Sequence, residues 1–378
     1  MKKNSVLFVV PDYHTSFIYR DELRAQGWKA DIYVPADYPS QMLYSDKDIL
    51  RVWRIRKDFR GVNSVNAIIN FIYFAVLTFR YKYQIHYGSL ATAPTIERLL
   101  VRYNLVKPSF LLSLGLAKAL RRKIVYVPSG CRDEELRSEF EKFDNGNVCG
   151  NCGYSDRCSD QNIVPNLDRV KRYVDMTVGN GFTNVSKLSV VHIKYKVIDL
   201  DRWSPLEQVG DSSDKKLRIL HSHSLGTRNS NSLNIKGSVE IVEAIRRLAN
   251  EFSNVELMEV SGVPSEEMVL LQRQADIVVD QLRYGCWGST GIEALALGKV
   301  LICYVRSSWK DFFLSKFPEH RDIPVVQATT SDIYEVLRSL ILDSAKREEL
   351  SKFSREFAVN HYNSVTNTRA LIKTLEML

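Results

Sequence analysis

The sequence predicts an α/β chain built from two parallel sheets, each covered by helices on both faces. Short apolar runs alternate with segments of helical periodicity. The runs carry no regular polar alternation, which is typical of strands buried on both faces of a parallel sheet. The alternation restarts after a polar loop at residues 199–216, and 378 residues fit two domains of about 100–200 residues each.

The first block extends from the start of the chain to that loop. Its strands are predicted at residues 5–10, 30–34, 83–88, 123–128, 175–180 and 190–195. Helices are predicted at residues 17–26 and 109–123, and the apolar segment at residues 67–79 is a further helix. Gly27 ends the first of these helices.

The second block repeats the alternation. Its strands are predicted at residues 217–223, 255–262, 275–282 and 300–305. The helix at residues 236–252 has Val239, Val242, Ile245 and Leu248 at three-residue steps. A second helix is predicted at residues 265–274, and a third begins near Ser289 or Thr290.

The charge of the chain restricts its partners. A net charge of +8 and a pI near 9.0 favour an anionic partner, either a phosphate-bearing small molecule, a membrane surface or nucleic acid. No RNA-binding or zinc-finger signature is present, so nucleic acid is not expected. The basic run RVWRIRKDFR at residues 51–60 fits a solvated face and a membrane-surface contact equally well.

The apolar segments are short. The run after Met1 is too short for a signal-peptide core of about 7–15 residues. The segment at residues 67–79 falls short of the ~20 residues that a bilayer span needs. We therefore expect a cytoplasmic chain. This aromatic helix, with its basic flanks, could attach the chain to the inner face of the membrane. The alternative is that the helix is buried in the core of the first domain.

A glycine-rich stretch, GCWGSTGIEALALGK at residues 285–299, lies between a predicted strand and a predicted helix. In open α/β sheets, ligands bind outside the carboxyl ends of the strands, and a helix that starts there attracts phosphate. Gly288 and Gly291 allow close approach of the backbone, and Ser289 and Thr290 add hydroxyl donors. Glu293, one turn further, is placed to accept hydrogen bonds from a sugar diol. The pattern indicates a nucleotide site, although an ordinary capped helix also fits the spacing.

Residues 275–305, ADIVVDQLRYGCWGSTGIEALALGKVLICYV, resemble the large retaining glycosyltransferase family of the GT-B fold known as group 1 or family four. That family carries Gly-x-x-x-x-Glu-Ala-Met-Ala-x-Gly-x-Pro-Val at this place. NIKGSVEIVEAI at residues 234–245 resembles the family's Lys-Gly stretch. The resemblance is good from about Leu217 to Val305 and weaker in the N-terminal half.

The resemblance implies a fold and a set of site residues. It implies an acceptor domain at residues 1–201, a donor domain at residues 202–361 facing it across a cleft, and a last helix at residues 362–378 that packs back on the first domain. The implied donor site comprises Lys236 and Arg228 at the diphosphate, the amides of Ser289, Thr290 and Gly291 at the distal phosphate, Glu293 at the ribose, and Gly262 and Val263 at the base.

One departure from the family bears on the donor sugar. The family has an earlier glutamate eight residues before the second, which contacts the donor sugar, and Gly285 occupies that position here. The resemblance implies transfer with retention, without a bound metal, by electrostatic stabilisation of the leaving nucleoside diphosphate. A UDP, GDP or dTDP sugar is the implied donor, and bacterial surface polysaccharide is the implied pathway.

The acceptor is expected against the first domain and is a glycan or a lipid-linked glycan. Asp12 and His14 follow the first strand, and His86 ends a later one. A histidine there could guide the acceptor hydroxyl, and a structural hydrogen-bonded histidine is the alternative. Two other functions stay open, a sugar-nucleotide epimerase of the same fold and a non-catalytic nucleotide-sugar-binding subunit.

Four cysteines lie close together in the first block, at Cys131, Cys149, Cys152 and Cys158. Cys149 and Cys152 have the spacing of a chelating pair, and four thiolates suit tetrahedral zinc. An iron–sulfur cluster is the second choice, and free thiols or a redox pair are the alternatives. A structural metal at residues 131–158 is therefore predicted.

Overall fold

The computed structural model describes residues 4–35, 48–51, 62–88, 100, 105, 111–130, 136–140, 147–150, 158–181, 188–205, 216–223 and 236–378. The chain divides into two compact units. The first contains the described residues up to Phe140, Cys158–Val197 and Ser364–Leu378. The second contains Ile198–Asn363 together with the short helix at residues 147–150. Each unit is built around one parallel sheet.

Within the described residues, the sheet of the first unit has seven parallel strands in the order β3-β2-β1-β4-β5-β6-β7. Their bounds are β1 (Ser5–Val9), β2 (Lys29–Val34), β3 (Ile49–Arg51), β4 (Tyr83–Tyr87), β5 (Lys123–Val127), β6 (Met176–Gly179) and β7 (Val190–His192). The chain adds β2 and β3 on one side of β1 and then crosses to its other side. The switch point of this sheet therefore lies between β1 and β4.

Helices cover both faces of this sheet. The helices of this unit are α1 (Tyr13–Ala25), α2 (Val62–Arg80), α3 (Leu112–Ala119), α4 (Arg137–Phe140) and α6 (Asp160–Tyr173). The helix α5 (Asn147–Gly150) is counted with the second unit. Alternate residues of β1 point to opposite faces. Phe8 packs with Leu23 of α1 and with Leu371 of the C-terminal helix, whereas Leu7 packs with Phe74 of α2.

In the part of the second unit that the structure describes, the sheet has five parallel strands in the order β12-β11-β10-β8-β9. Their bounds are β8 (Leu217–Ser222), β9 (Val255–Val260), β10 (Ile277–Val279), β11 (Val300–Cys303) and β12 (Val326–Gln327). The chain adds β9 on one side of β8 and β10 on the other. The switch point therefore lies between β8 and β10.

The remaining helices are α7 (Ser238–Glu251), α8 (Ser265–Gln274), α9 (Ser289–Ala296), α10 (Ser307–Lys316), α11 (Ile333–Leu342), α12 (Ser344–His361) and α13 (Ser364–Glu376). Ile245 of α7 and Leu337 of α11 pack on Ile219 and Ile277 of the sheet. The helix α9 packs against α12. The helix α13 belongs to the first unit, where Leu371 and Leu375 lie in the core.

The structure confirms the predicted α/β class and the parallel sheets, and α9 begins at Ser289 as expected. One boundary is wrong in a way that affects the site. The helix α1 begins at Tyr13 rather than near residue 17, so Asp12 is its N-cap and His14 lies in its first turn. Apolar periodicity starts only at Phe17, which explains the error.

Candidate functional site

Lys236 lies at the carboxyl edge of the second sheet, beside its switch point. Its Nζ donates to the backbone oxygen of Ser222, the last residue of β8, at 2.8 Å. It also donates to Oδ1 of Asp280, which follows β10, at 3.1 Å. These two partners end neighbouring strands, so the ammonium group is held where open α/β sheets bind their ligands.

Asp280 connects this lysine to the start of α9. Its carboxylate is fully buried, and Oδ2 accepts from the backbone N–H of Gly288, the N-cap residue of α9, at 2.6 Å. A carboxylate at a helix N-terminus is favoured by the helix dipole. Asp280 was not predicted as a site residue, although the sequence shows a carboxylate directly after an apolar strand and before the glycine-rich stretch.

The first turn of α9 presents backbone donors at this edge. The amides of Ser289, Thr290 and Gly291 belong to the first turn, which has no intrahelical acceptors for them. Ser289 and Thr290 are half-buried. This sheet edge therefore carries three N–H groups, two hydroxyl groups and the Lys236 ammonium. Such an arrangement is suited to binding an anion.

The structure gives Gly291 a different role from the expected one. A Cβ atom at this position would lie 2.7 Å from Cβ of Trp287 and 3.2 Å from Cδ2 of Leu301. The missing side chain of Gly291 therefore allows α9 to pack on the sheet. The space where a side chain would stand is filled by Trp287 and Leu301, and the amide of Gly291 lies in the first turn of α9.

Glu293 is buried one turn into α9. Its Oε2 accepts a 2.7 Å hydrogen bond from Nε2 of Gln272 on α8. Burial raises the pKa of Glu293 to about 8, even though the Gln272 hydrogen bond and the nearby Lys236 lower it. The pKa of this carboxyl therefore lies close to the neutral range rather than in the acidic range of an exposed glutamate.

His221 is a further buried group at this edge that the sequence did not reveal. Its Nδ1 lies 2.9 Å from the backbone oxygen of Val279, and its Nε2 lies 2.8 Å from Oγ of Ser238, the first residue of α7. A carbonyl can only accept, so Nδ1 carries the proton and Nε2 accepts from the hydroxyl. Burial, with the Lys236 charge, lowers the pKa of His221 to about 3, so it stays neutral and fixes the start of α7.

Gly285 lies beside Arg306 rather than beside an open space. Gly285 has φ +112°, and a Cβ atom there would lie 2.6 Å from Cγ and Nε of Arg306. The backbone N–H of Arg306 donates to the oxygen of Gly285 at 2.9 Å. The guanidinium carbon lies 4.7 Å from the ring centre of Trp309. The volume next to position 285 is therefore occupied by a buried cationic side chain.

The first unit holds Asp12 and His14 at the switch point of its own sheet. Both oxygens of Asp12 accept from Nζ of Lys196, at 2.7 and 2.6 Å, and the carboxylate is buried. Although burial lowers it, the Asp12 charge raises the pKa of Lys196 above its usual value. His14 is buried, with its ring 5.0 Å from that of Tyr13. Asp12 is thus a fixed, ion-paired group, and the sequence did not reveal Lys196.

The backbone around Asp12 is strained. Val10 has φ 62° and Tyr13 has φ 35°. Positive φ is a marked outlier for a β-branched residue such as valine, and such outliers cluster at functional sites. His86, near the end of the adjacent β4, is also buried, and burial lowers its pKa to about 3. The switch point of this sheet thus combines a strained backbone with two buried histidines, His14 and His86.

The other predicted residues are distributed as follows. Gly262 and Val263 lie in the loop that follows β9, at the same carboxyl edge as Lys236. Cys149 lies in α5, and Cys158 packs with Ile163 of α6. Arg228, Cys131 and Cys152 lie outside the described residues. Of the helices that the structure describes, none combines the length and hydropathy needed to cross a bilayer.

Known structures resemble this chain over its whole length. The sequence matches no family model and no curated protein. HepE from Anabaena, solved with UDP and glucose, aligns at TM-score 0.62 and 13% identity over 99% of both chains. Sucrose-phosphate synthase from Thermosynechococcus elongatus aligns at TM-score 0.59 and 12% identity over 99% of both chains.

A third similar structure is a putative UDP-N-acetylglucosamine 2-epimerase from Listeria monocytogenes, at TM-score 0.57 and 9% identity over 99% of this chain and 96% of the other. At these identities the likeness shows the fold alone. Together with the two parallel sheets, it shows that the chain has the GT-B fold, with two Rossmann-like domains.

Proposed function

We propose that the chain is a glycosyltransferase that moves a hexose from a nucleotide-sugar to a glycan or lipid-linked glycan, with retention at the anomeric carbon. The observation that carries this proposal is the link from Lys236 through Asp280 to the first turn of α9, at the switch point of a GT-B donor domain. It gathers a cation and helix amides where a diphosphate is expected.

The proposed donor site uses this chain's residues as follows. Lys236, with Arg228 as the second cation, and the amides of Ser289, Thr290 and Gly291 stabilise the diphosphate. Negative charge develops there when the bond from the anomeric carbon to the phosphate oxygen breaks, and donors aimed at that charge supply several kcal/mol of transition-state stabilisation, about 3 for one donor. Glu293 accepts hydrogen bonds from the ribose hydroxyls, and the backbone at Gly262 and Val263 contacts the base.

A uridine nucleotide is the proposed donor type. HepE was solved with UDP and glucose, and it has the same fold at 13% identity. The acceptor site is proposed at the switch point of the first unit, where the strained residues Val10 and Tyr13 flank Asp12. Asp12 is held by its ion pair with Lys196. In this proposal its carboxylate also accepts hydrogen bonds from acceptor hydroxyls, and His14 orients the reacting hydroxyl. Surface polysaccharide assembly in a bacterium is the proposed setting.

A turnover experiment tests the proposal. The protein is incubated with UDP-glucose or UDP-N-acetylglucosamine and a mixture of glycan and lipid-linked acceptors, and free UDP and labelled acceptor are measured. We expect acceptor-dependent UDP release that falls at least a hundredfold in Lys236→Ala and is retained in Lys346→Ala, an exposed lysine on α12. Turnover that survives Lys236→Ala would remove this residue from the site.

An epimerase of the same fold is the second candidate, because the Listeria structure carries that description. Gly285 makes an epimerase the weaker candidate, because epimerisation needs several acidic and histidine groups around the donor sugar and this position lacks the acid. Inversion of the donor sugar without acceptor, read by proton NMR, would establish the epimerase. Binding of the nucleotide-sugar without either reaction would establish a non-catalytic subunit.

A structural metal at Cys131, Cys149, Cys152 and Cys158 is a separate proposal, with zinc preferred over an iron–sulfur cluster. The donor set carries it, because four thiolates in a polar segment suit tetrahedral zinc. The metal would order that segment and take no part in transfer. Metal analysis of protein purified without oxygen or chelator tests it. We expect one zinc per chain, and protein without zinc or iron would refute the site.

A further inference from the structure

The helix α2 is apolar on two opposite faces, and only one of them packs on the sheet. Phe74 and Leu77 are buried against Leu7 and Val9 of β1. On the other face, four large apolar side chains are about half exposed, namely Ile68 (45%), Ile72 (57%), Val76 (43%) and Phe79 (55%). We call these four residues the α2 stripe.

The α2 stripe is continuous along the helix. At 100° per residue its members fall within an arc of about 80°, and at 1.5 Å per residue they extend over roughly 16 Å. A single exposed apolar residue is ordinary on a protein surface, but an aligned set of large ones marks an interaction surface. The stripe therefore requires an apolar partner.

The end of the stripe at Phe79 is surrounded by basic side chains. Arg80 and Arg121 are exposed, and Lys82 is half-buried. Arg122 donates through Nε to the backbone oxygen of Thr78 at 2.9 Å and through Nη2 to that of Phe79 at 3.3 Å. This guanidinium therefore caps α2 beside the last residue of the stripe.

The described residues next to the stripe carry positive charge only. Residues 62–88 contain Arg80 and Lys82 and no Asp or Glu. No Asp or Glu occurs in α2 itself. A partner for this surface must therefore be apolar where it meets the stripe and anionic next to it.

We propose that the α2 stripe docks on an anionic lipid surface, with Ile72 and Phe79 entering the acyl boundary and the basic residues facing headgroup phosphates. A helix of this kind, apolar on one side and flanked by arginine and lysine, lies in the plane of a bilayer interface. A second copy of the chain is a poorer partner. It would bring like charges together, and four side chains are far fewer than the roughly 20–30 residues a side of a stable interface.

The proposal is independent of the proposed transfer reaction, because lipid binding is measured without substrate. Co-sedimentation of the protein with phosphatidylcholine vesicles is compared with co-sedimentation with vesicles that also contain phosphatidylglycerol. We expect binding to the anionic vesicles alone, weakening as salt is raised. The double variant Ile72→Asn, Phe79→Asn should bind at least tenfold more weakly.

Two further variants separate docking from folding and from charge alone. Val239→Asn combined with Leu270→Asn changes two exposed apolar residues of the second unit, which are 63% and 55% exposed, and should bind as the wild type does. Arg80→Gln removes a charge but no apolar surface, and should weaken binding to anionic vesicles by about fivefold. Urea unfolding establishes that each variant is folded.

Three results would overturn the proposal. The first is wild-type protein that does not co-sediment with anionic vesicles. The second is folded Ile72→Asn, Phe79→Asn protein that binds them undiminished. The third is a wild-type dimer, seen by sedimentation velocity, that this double variant dissociates, which would assign the stripe to a second copy of the chain.

Discussion

Glu293→Gln tests whether the buried carboxyl of α9 is protonated in the free protein. Burial raises the pKa of Glu293 to about 8, against 4.5 for an unperturbed glutamate, although Gln272 and Lys236 lower it. In the folded chain the proton is retained up to pH 8, whereas in the unfolded chain it is released above pH 4.5. Stability from the neutral form is therefore fully present below pH 4.5 and is lost as the pH rises through 8.

The size of the effect follows from the pKa difference. At 1.36 kcal/mol per pKa unit, wild-type protein should lose about 3–4 kcal/mol between pH 5 and pH 8 through this group. Glutamine has nearly the same shape and cannot ionise, and its amide oxygen can still accept from Gln272 Nε2. Glu293→Gln should therefore match the wild type within about 1 kcal/mol at pH 5 and exceed it at pH 8.

Urea unfolding from pH 5 to pH 9, followed by tryptophan fluorescence, measures this difference. Glu349→Gln, at an exposed position on α12, is the matched control and should follow the wild-type profile. Parallel profiles for wild type and Glu293→Gln would refute the reasoning, because they would mean that Glu293 is already ionised at pH 5. If the carboxylate holds a ribose, UDP affinity should also rise with pH in the wild type alone.

Two other variants test packing at the two switch points. Lys196→Met should lower the free energy of unfolding by about 3–5 kcal/mol because Asp12 is left buried without its counter-charge. Lys118→Met should lower it by less than about 1 kcal/mol, because Lys118 is exposed and its partner Asp175 keeps the hydrogen bond from the backbone N–H of Ile124; equal losses in urea unfolding would contradict this. Gly285→Ala should lower the free energy of unfolding by about 1–3 kcal/mol more than Gly27→Ala does. Both positions have positive φ, but only a Cβ atom at position 285 would clash with Arg306. Equal melting temperatures for these two variants would show that Arg306 moves aside without cost.

The sheets could be predicted from sequence because their strands are continuous apolar runs. The edge strands β3 and β12 were missed, since three and two residues are too few to show a pattern. The start of α1 was missed because its first turn, at Tyr13 and His14, is polar and carries no apolar repeat. Burial of that turn depends on the sheet beneath it, which a local pattern does not contain.

The candidate site was predicted in part. Lys236 and the first turn of α9 were found because glycine, hydroxyl and lysine positions are visible along the chain. Lys196 pairs with Asp12 across 184 residues, so this contact has no local signal. Asp280 does follow an apolar strand directly, but its role depends on a hydrogen bond from the backbone of Gly288, which the pattern of side chains does not show. Gly285 was recognised as a missing acid, but the side chain that takes its place, Arg306, follows a different strand.

Calorimetric titration with UDP tests the central claim most directly, because it asks whether the carboxyl edge of the second sheet binds a nucleoside diphosphate. The wild type should bind UDP at one site per chain. Lys236→Ala should weaken this binding at least tenfold, and Lys346→Ala should leave it unchanged. A wild-type protein that binds no nucleoside diphosphate, or a Lys236→Ala variant that binds UDP as well as the wild type, would contradict the account.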